Sequence, residues 1–389
     1  MIKNILVSVG SVLVFAGLVE IVFYFISDKE IPDSPQISWK YVSLDTPSPT
    51  FDNLLYSLPK KFPRDDPYAN LRGLTGQSLD KSNAGFCCNF GLDQPTVKGF
   101  RSIMKLRPSN LVLYDVNYHF DELERRITPQ SKTPKKTTFA FMGCSFTMGE
   151  GLEDHQTSSA QLAQFNQDLR VLNLGYASTG VHDHAYRYGV LKKNPFADVE
   201  SETQIIAFNY IDFLIPRLVC PMTCVANNRF MLRKPYYTLD SNGPQFNGSF
   251  LSGRFIQNIF LGLMGKSHFI NYFKIEWPQL YSDYNYRLHL ALLKSAADSL
   301  FNRAKKPAQR KLIWMVLTPS TSERSVKAFK RLAPQFGIDI IDFSDVAYAK
   351  AYGDSIHIPV DLHPSETWNT VHAALINREI KHRLSENLK

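Results

Sequence analysis

A second cysteine pair, or a histidine pair, at metal-ligand spacing to complement Cys220 and Cys224 is missing from this sequence, although it holds five cysteines and ten histidines. That absence excludes a zinc finger or ribbon, and neither a metal nor a cofactor is expected. Long runs of one charge are missing too. The 44 basic and 36 acidic residues leave a net charge of +8, but the basic ones are scattered. Their densest group, Lys132, Lys135 and Lys136, lies among prolines in a linker-like stretch. With no nucleic-acid motif beside it, this charge points to a general surface effect or to anionic polymers, and nucleic acid is not an expected partner. Internal repeats are absent as well. Apolar content of 44% against 21% charged residues excludes a generally disordered chain.

An odd number of cysteines cannot all pair within one chain. Cys220 and Cys224 are four apart and suited to a bridge across a loop, whereas Cys87 and Cys88 are adjacent, which disfavours a bond between them. Cys144 is expected to be a buried thiol. One long apolar run does occur, from Ile5 to Ile26, with Glu20 its only charge. It matches the ~20 residues that a helix needs to cross a bilayer. Lys3 precedes it and favours a cytoplasmic N-terminus with the rest of the chain exported. The large residues Phe23, Tyr24, Phe25 and Ile26 offer no small-residue cleavage site, so an uncleaved anchor is favoured over a signal peptide. The expected location is the inner or cell membrane, single-pass, with the remainder periplasmic.

The chain then divides by composition. Residues 1–28 form the anchor, and 29–136 a stalk and small β-containing pre-domain. Within the latter, residues 30–70 read as irregular, and Val112, Tyr114, Val116, Tyr118 and Phe120 alternate as a strand does. A Pro- and Lys-rich linker ends at Lys136. From 137 to 389 short apolar strands alternate with helix-length segments: Thr138–Met142, Val171–Leu174, Gln204–Phe208, Lys311–Leu317 and Ile338–Phe343. Such alternation predicts a central parallel sheet of about five strands in a three-layer α/β sandwich. The Asn-, Gly- and aromatic-rich stretch at about 216–284 breaks the rhythm and reads as an insertion after the third strand. Within it Arg254–Phe273 has the pattern of an amphipathic helix, with packing against the core favoured over membrane contact.

The chemistry gathers at two distant places. Thr138–Met142 runs into Gly143-Cys144-Ser145, which sets one hydroxyl at the carboxyl edge of the sheet, where open α/β folds bind ligands. A serine hydroxyl needs a base to become a nucleophile. His363 is the leading candidate, and Asp361 two residues earlier is placed to fix its tautomer and stabilise the imidazolium. Other polar residues are read more plainly. His182, Asp183 and His184 either line the pocket or begin a solvated helix; Asp154 and His155 suit a surface loop; His357 and His372 suit structural roles.

These blocks resemble the SGNH (GDSL-like) hydrolase superfamily, and membrane-anchored bacterial members in particular. Gly143-Cys144-Ser145 is similar to the Gly-Asp-Ser turn with cysteine in the Asp position. Asn173-Leu174-Gly175 with the small residues to Gly180 resembles the second block, and Asp361-Leu362-His363-Pro364 the last. The likeness covers about residues 137–385. It implies a flavodoxin-like sandwich and a serine esterase or acyltransferase with Ser145, Asp361 and His363 as catalytic residues. The implied oxyanion hole comprises the Ser145 N–H, Ser178 where the usual glycine stands, and Asn209, with Asp212 as the other way to align the third block. Expected substrates are O-acyl, chiefly acetyl, groups of an envelope or exported glycan, or another small ester. A catalytically impaired scaffold in polysaccharide assembly and a lipase-like esterase are the competing readings.

Overall fold

A computed structural model describes residues 17, 19–20, 36–43, 99–107, 111–129, 135–228, 230–345, 356–358, 361 and 363–386. Among the described residues ten strands run β1 Gln36–Ser43, β2 Gly99–Arg107, β3 Leu111–His119, β4 Thr137–Gly143, β5 Leu169–Gly175, β6 Thr203–Tyr210, β7 Pro235–Asp240, β8 Gly243–Ser249, β9 Arg310–Leu317 and β10 Asp339–Asp342. The central sheet has five parallel strands in the order β10-β9-β6-β4-β5. Counted from its own first strand, this is the 2-1-3-4-5 order of flavodoxin-like sheets, whose ligands sit where the winding reverses. That point lies between β4 and β6.

The strands are buried on both faces, and their period-two alternation assigns each side chain to one layer. Phe139 and Phe141 of β4 face one core, with Ile205, Ala207, Trp314 and Val316. Helices α1 Ser158–Phe165 and α2 Glu366–Glu386 cover it. Ala140 and Met142 face the other core, with Ile206, Phe208, Met315 and Leu317. The helices Asp283–Phe301 and Glu323–Leu332 close that side. Ser282 and Ser322 cap these two helices by accepting the Asn285 and Ser325 N–H groups, the usual way to satisfy a first-turn donor.

Ahead of the sheet, β1, β2 and β3 form an antiparallel three-stranded sheet. Gln36–Ser43 was expected to be irregular; it is a strand because its backbone groups pair with β2 along its whole length. Tyr114, Val116 and Tyr118 of β3 pack with Met148, Leu152 and Tyr176 from the central domain. Strand β3 therefore shares a core with the segment that follows Ser145.

The insertion holds the β7–β8 hairpin and short helices, and Cys220 and Cys224 are joined by a disulfide. The continuous helix expected over Arg254–Phe273 is broken at Gly265 into Phe255–Met264 and His268–Tyr272. A Cβ at Gly265 would lie 2.4 Å from the Met222 carbonyl, so the chain passes too close for any other residue. Its expected packing against the core is met in part, with Met264 and Phe269 set against a buried cluster of the insertion. Leu261 and Ile270 are buried, but Phe255, Ile256, Ile259, Phe260 and Leu263 are exposed. No helix among the described residues is long and apolar enough to cross a membrane. The run Ile5–Ile26 lies outside them, apart from Gly17, Val19 and Glu20. Cys87 and Cys88 lie outside as well.

Candidate active site

Ser145 opens a one-turn helix, Ser145–Met148, directly beyond β4. Its Oγ lies 2.9 Å from His363 Nε2, and His363 Nδ1 lies 2.7 Å from Asp361 Oδ2. The structure thus brings two stretches over two hundred residues apart into one hydrogen-bonded line. His363 and Asp361 stand in the loop before α2, where the His363 carbonyl accepts the Ile358 N–H at 2.8 Å. The Phe146 ring stands 5.1 Å from the imidazole.

The turn that presents Ser145 is fixed from behind. Three donors converge on the Gly143 carbonyl: His184 Nε2 at 3.0 Å, Thr179 Oγ1 at 3.1 Å and the Tyr176 N–H at 3.2 Å. Asn173 Nδ2 donates to the Thr147 carbonyl at 3.2 Å and to Ser159 Oγ at 3.1 Å, while its Oδ1 accepts the Gly175 N–H. At Gly175 an added Cβ would lie 2.2 Å from the Met148 nitrogen. The strand end and the nucleophile helix touch backbone to backbone there, which only glycine permits.

Further support comes from outside the central sheet. Arg126, its side chain fully buried, donates to the Met148 and Gly149 carbonyls at 2.6 Å each, to the Leu152 carbonyl at 2.5 Å, and to Asp154 Oδ1 at 3.0 Å. Tyr118 Oη accepts the Gly151 N–H at 2.7 Å. Asp154 therefore holds Arg126 and His119 together instead of sitting in a plain surface loop.

A second carboxylate faces the imidazole. Glu150 is buried, and its Oε2 lies 3.6 Å from His363 Nε2. Burial pushes the His363 pKa down, but the negative fields of Asp361 and Glu150 and the Asp361 hydrogen bond prevail and hold it at about 9. His182, Asp183 and His184 are fully buried, which corrects the solvated-helix reading. Asp183 accepts from Lys234 Nζ at 3.0 Å and from the Gly180 N–H at 2.8 Å. Burial lowers the His182 and His184 pKa values to about 4, so both rings are neutral near pH 7.

Of the residues implied for the oxyanion hole, Ser178 has φ +57°, the left-handed conformation that glycine adopts without strain. Asn209, next to last in β6 beside β4, donates from Nδ2 to Thr147 Oγ1 at 3.1 Å. Asp212 is turned elsewhere, accepting the Ser322 N–H. The Asn209 alignment is therefore the one that borders the nucleophile helix. A cavity of about 120 Å³ lies alongside, lined by Phe146, Asn209, Ile211, Thr318, Pro364 and Trp368 among others. His357 and His372 line it as well, and His372 Nδ1 lies 3.1 Å from Ser158 Oγ.

Sequence reasoning had not singled out Glu150, Arg126 or Thr147. Glu150 had a signal, being an acidic residue between two glycines five positions after the nucleophile. Arg126 gave no local signal of this role, since three of its partners are backbone carbonyls and the fourth, Asp154, lies 28 residues further on.

No protein-family profile and no curated protein matches the chain. Among solved structures it is similar to a member of the lipolytic protein G-D-S-L family from Veillonella parvula. There the TM-score is 0.34 and identity 12%, over 61% of this chain and 95% of that one. It is similar also to a lipase/acylhydrolase from Enterococcus faecalis, at TM-score 0.32 and 13% identity, over 64% and 96% of the two chains. A salicylyl-acyltransferase from a tetracycline biosynthetic pathway follows at TM-score 0.30 and 14% identity, over 64% and 56%. Likenesses of this size carry no weight beside the geometry of the site itself.

Proposed function

We propose that this protein is a serine enzyme acting on esters, as hydrolase or acyltransferase, and that its substrates are O-acyl groups, chiefly acetyl, of an envelope or exported glycan. The observation that carries the chemistry is the line Ser145 Oγ–His363 Nε2, His363 Nδ1–Asp361 Oδ2, at 2.9 and 2.7 Å. In the first step Ser145 Oγ bonds to the ester carbonyl carbon as its proton passes to His363 Nε2. Asp361 holds the imidazolium so formed. The oxyanion is met by the backbone N–H groups of Ser145 and Ser178. Asn209 Nδ2 has a second hydrogen besides the one given to Thr147, and it supplies the third donor. Such donors are worth a few kcal/mol each where the charge develops. Collapse breaks the ester C–O bond, and the leaving alkoxide takes the proton from His363. Water or an acceptor hydroxyl then releases the acyl group by the same steps in reverse.

Two features support the finer parts. The small cavity beside Phe146 and Pro364 suits a short acyl group. The apolar run Ile5–Ile26, with Lys3 before it, suits an anchor that holds the enzyme beside a substrate assembled at the membrane. The test is fluorophosphonate labelling at Ser145 together with p-nitrophenyl acetate turnover, both abolished in Ser145→Ala. A folded protein that takes no label would overturn the enzyme reading in favour of a scaffold. Release of acetate from acetylated glycan, set against release of fatty acid from phospholipid, separates the glycan reading from a lipase-like one.

A further inference from the structure

The exposed side of the insertion is unusual for a water-facing surface. On the helix Phe255–Met264, Ile256 is 82% and Leu263 69% exposed, with Phe255, Ile259 and Phe260 also outward. Phe273 and Trp277 extend the same exposed apolar stretch, and the Trp277 ring stands 6.3 Å from that of Phe260. Lys266 and Lys274, both exposed, lie between them in the chain. A continuous apolar face of this kind marks a docking surface, and one residue from the other end of the protein indicates what it docks on.

Glu20, the single charge of the apolar run, is hydrogen bonded by the Ser267 hydroxyl and, at 2.6 Å, by the His268 N–H. Ser267 stands in the short connection just beyond Phe255–Met264, and His268 opens the next helix. If the run spans as a helix, its rise of 1.5 Å per residue sets Glu20 about 9 Å short of Ile26, inside the apolar layer. A domain held wholly in water could not reach that depth. The Glu20 contact and a spanning Ile5–Ile26 are compatible only if this part of the insertion is immersed at the membrane boundary.

We propose that the face made by Phe255, Ile256, Ile259, Phe260, Leu263 and Trp277 is a lipid-docking surface, seated in the boundary of the bilayer beside the chain's own span. The proposal rests on the anchor reading above. Its chemistry suits that place. Aromatic rings belong at the headgroup level, an amphipathic helix lies with its apolar side among acyl chains, and Lys266 and Lys274 meet anionic headgroups. The Ser267 and His268 donors also offset the cost of a carboxylate within the span.

The experiment uses the full-length chain reconstituted into phosphatidylcholine–phosphatidylglycerol vesicles, with acyl chains either plain or brominated near the headgroup. The emission due to Trp277 is the difference between wild type and Trp277→Phe, and it should fall at least about twofold in brominated lipid, as a ring at the boundary requires. Ile256→Glu combined with Leu263→Glu should restore that emission and leave fluorophosphonate labelling of Ser145 unchanged. Resistance to alkaline carbonate extraction reports the anchor separately. A chain that resists extraction but whose Trp277 emission ignores bromination overturns the docking surface and leaves the anchor standing. Emission that is blue-shifted yet unquenched also overturns it, since protein, such as a second copy, then covers the face. A chain that carbonate extracts overturns the anchor, and the docking surface with it.

Discussion

Replacing Glu150 with glutamine probes what sets the pH at which Ser145 becomes a nucleophile. His363 Nε2 accepts the serine proton only when the imidazole is neutral. With its pKa raised to about 9, only about 1% of the rings are competent at pH 7. Glu150 Oε2 lies 3.6 Å from Nε2. Unit charges at that separation interact by about 1 kcal/mol in water, and by several times as much at an effective dielectric constant of about 20. Even the smaller figure is close to ~0.8 of a pKa unit. Glu150→Gln keeps the side chain's shape and removes its charge, so the midpoint of kcat/KM against pH should move down by about one unit or more. The competent fraction at pH 7 then rises about tenfold per unit, while the alkaline plateau falls because a weaker base takes the proton. The assay is p-nitrophenyl acetate hydrolysis at low substrate across the pH range, corrected for the spontaneous reaction. A midpoint that stays at the wild-type position would refute the reasoning, since Glu150 would then impose no field on the imidazole.

Three other outcomes follow from the same geometry. Arg126→Ala strands three buried carbonyls behind the nucleophile and leaves Asp154 without its buried partner; urea unfolding should show a loss of about 3–5 kcal/mol, with Arg126→Lys recovering only part of it. Ser178→Gly removes the strain of a side chain at φ +57° and should stabilise the fold by about 1 kcal/mol in the same measurement. Acid should weaken the protein well above the carboxylate range. His182, His184 and His372 are held at about 4 and His289 at about 3 by burial. Below their unfolded pKa near ~6.5 the unfolded chain binds protons that the folded one does not. Stability is thus intact above that value and falls as pH drops toward 4, by about 2 kcal/mol per buried histidine at pH 5. His363 acts in the opposite sense, because its contribution is present below its unfolded pKa and lost as pH rises through about 9. Unfolding followed by circular dichroism between pH 7 and 5 checks the balance, and a flat profile would contradict it.

How much of this was legible in the sequence depended on whether the cause was local. The five strands of the central sheet declare themselves as short apolar runs because both faces are buried, and each expected strand falls within two residues of the observed bounds. Ser145, Asp361 and His363 were picked out by turn chemistry and spacing. Non-local causes stayed hidden. Gln36–Ser43 is a strand only through its pairing with Gly99–Arg107, which no local period announces. His182, Asp183 and His184 look like a solvated helix start because nothing nearby in sequence hints at Lys234, the buried partner of Asp183. Of the apolar residues in Phe255–Met264, Leu261 and Met264 pack inward while Phe255 and Ile259 stand exposed, for periodicity finds hydrophobic positions but does not say what each one faces.

The hold of Arg126 and Tyr118 on the loop after Ser145 has a practical consequence. A fragment trimmed at the Pro- and Lys-rich linker would keep the whole parallel sheet and every residue of the Ser145–His363–Asp361 line. It would nonetheless lose the guanidinium that gathers the Met148, Gly149 and Leu152 carbonyls and the hydroxyl that receives the Gly151 N–H. The minimal working unit is therefore not the minimal sheet. Anyone grafting the Ser145–His363–Asp361 line onto another protein must carry Leu111–Thr128 with it, as inseparable from the site as the strand that bears the serine.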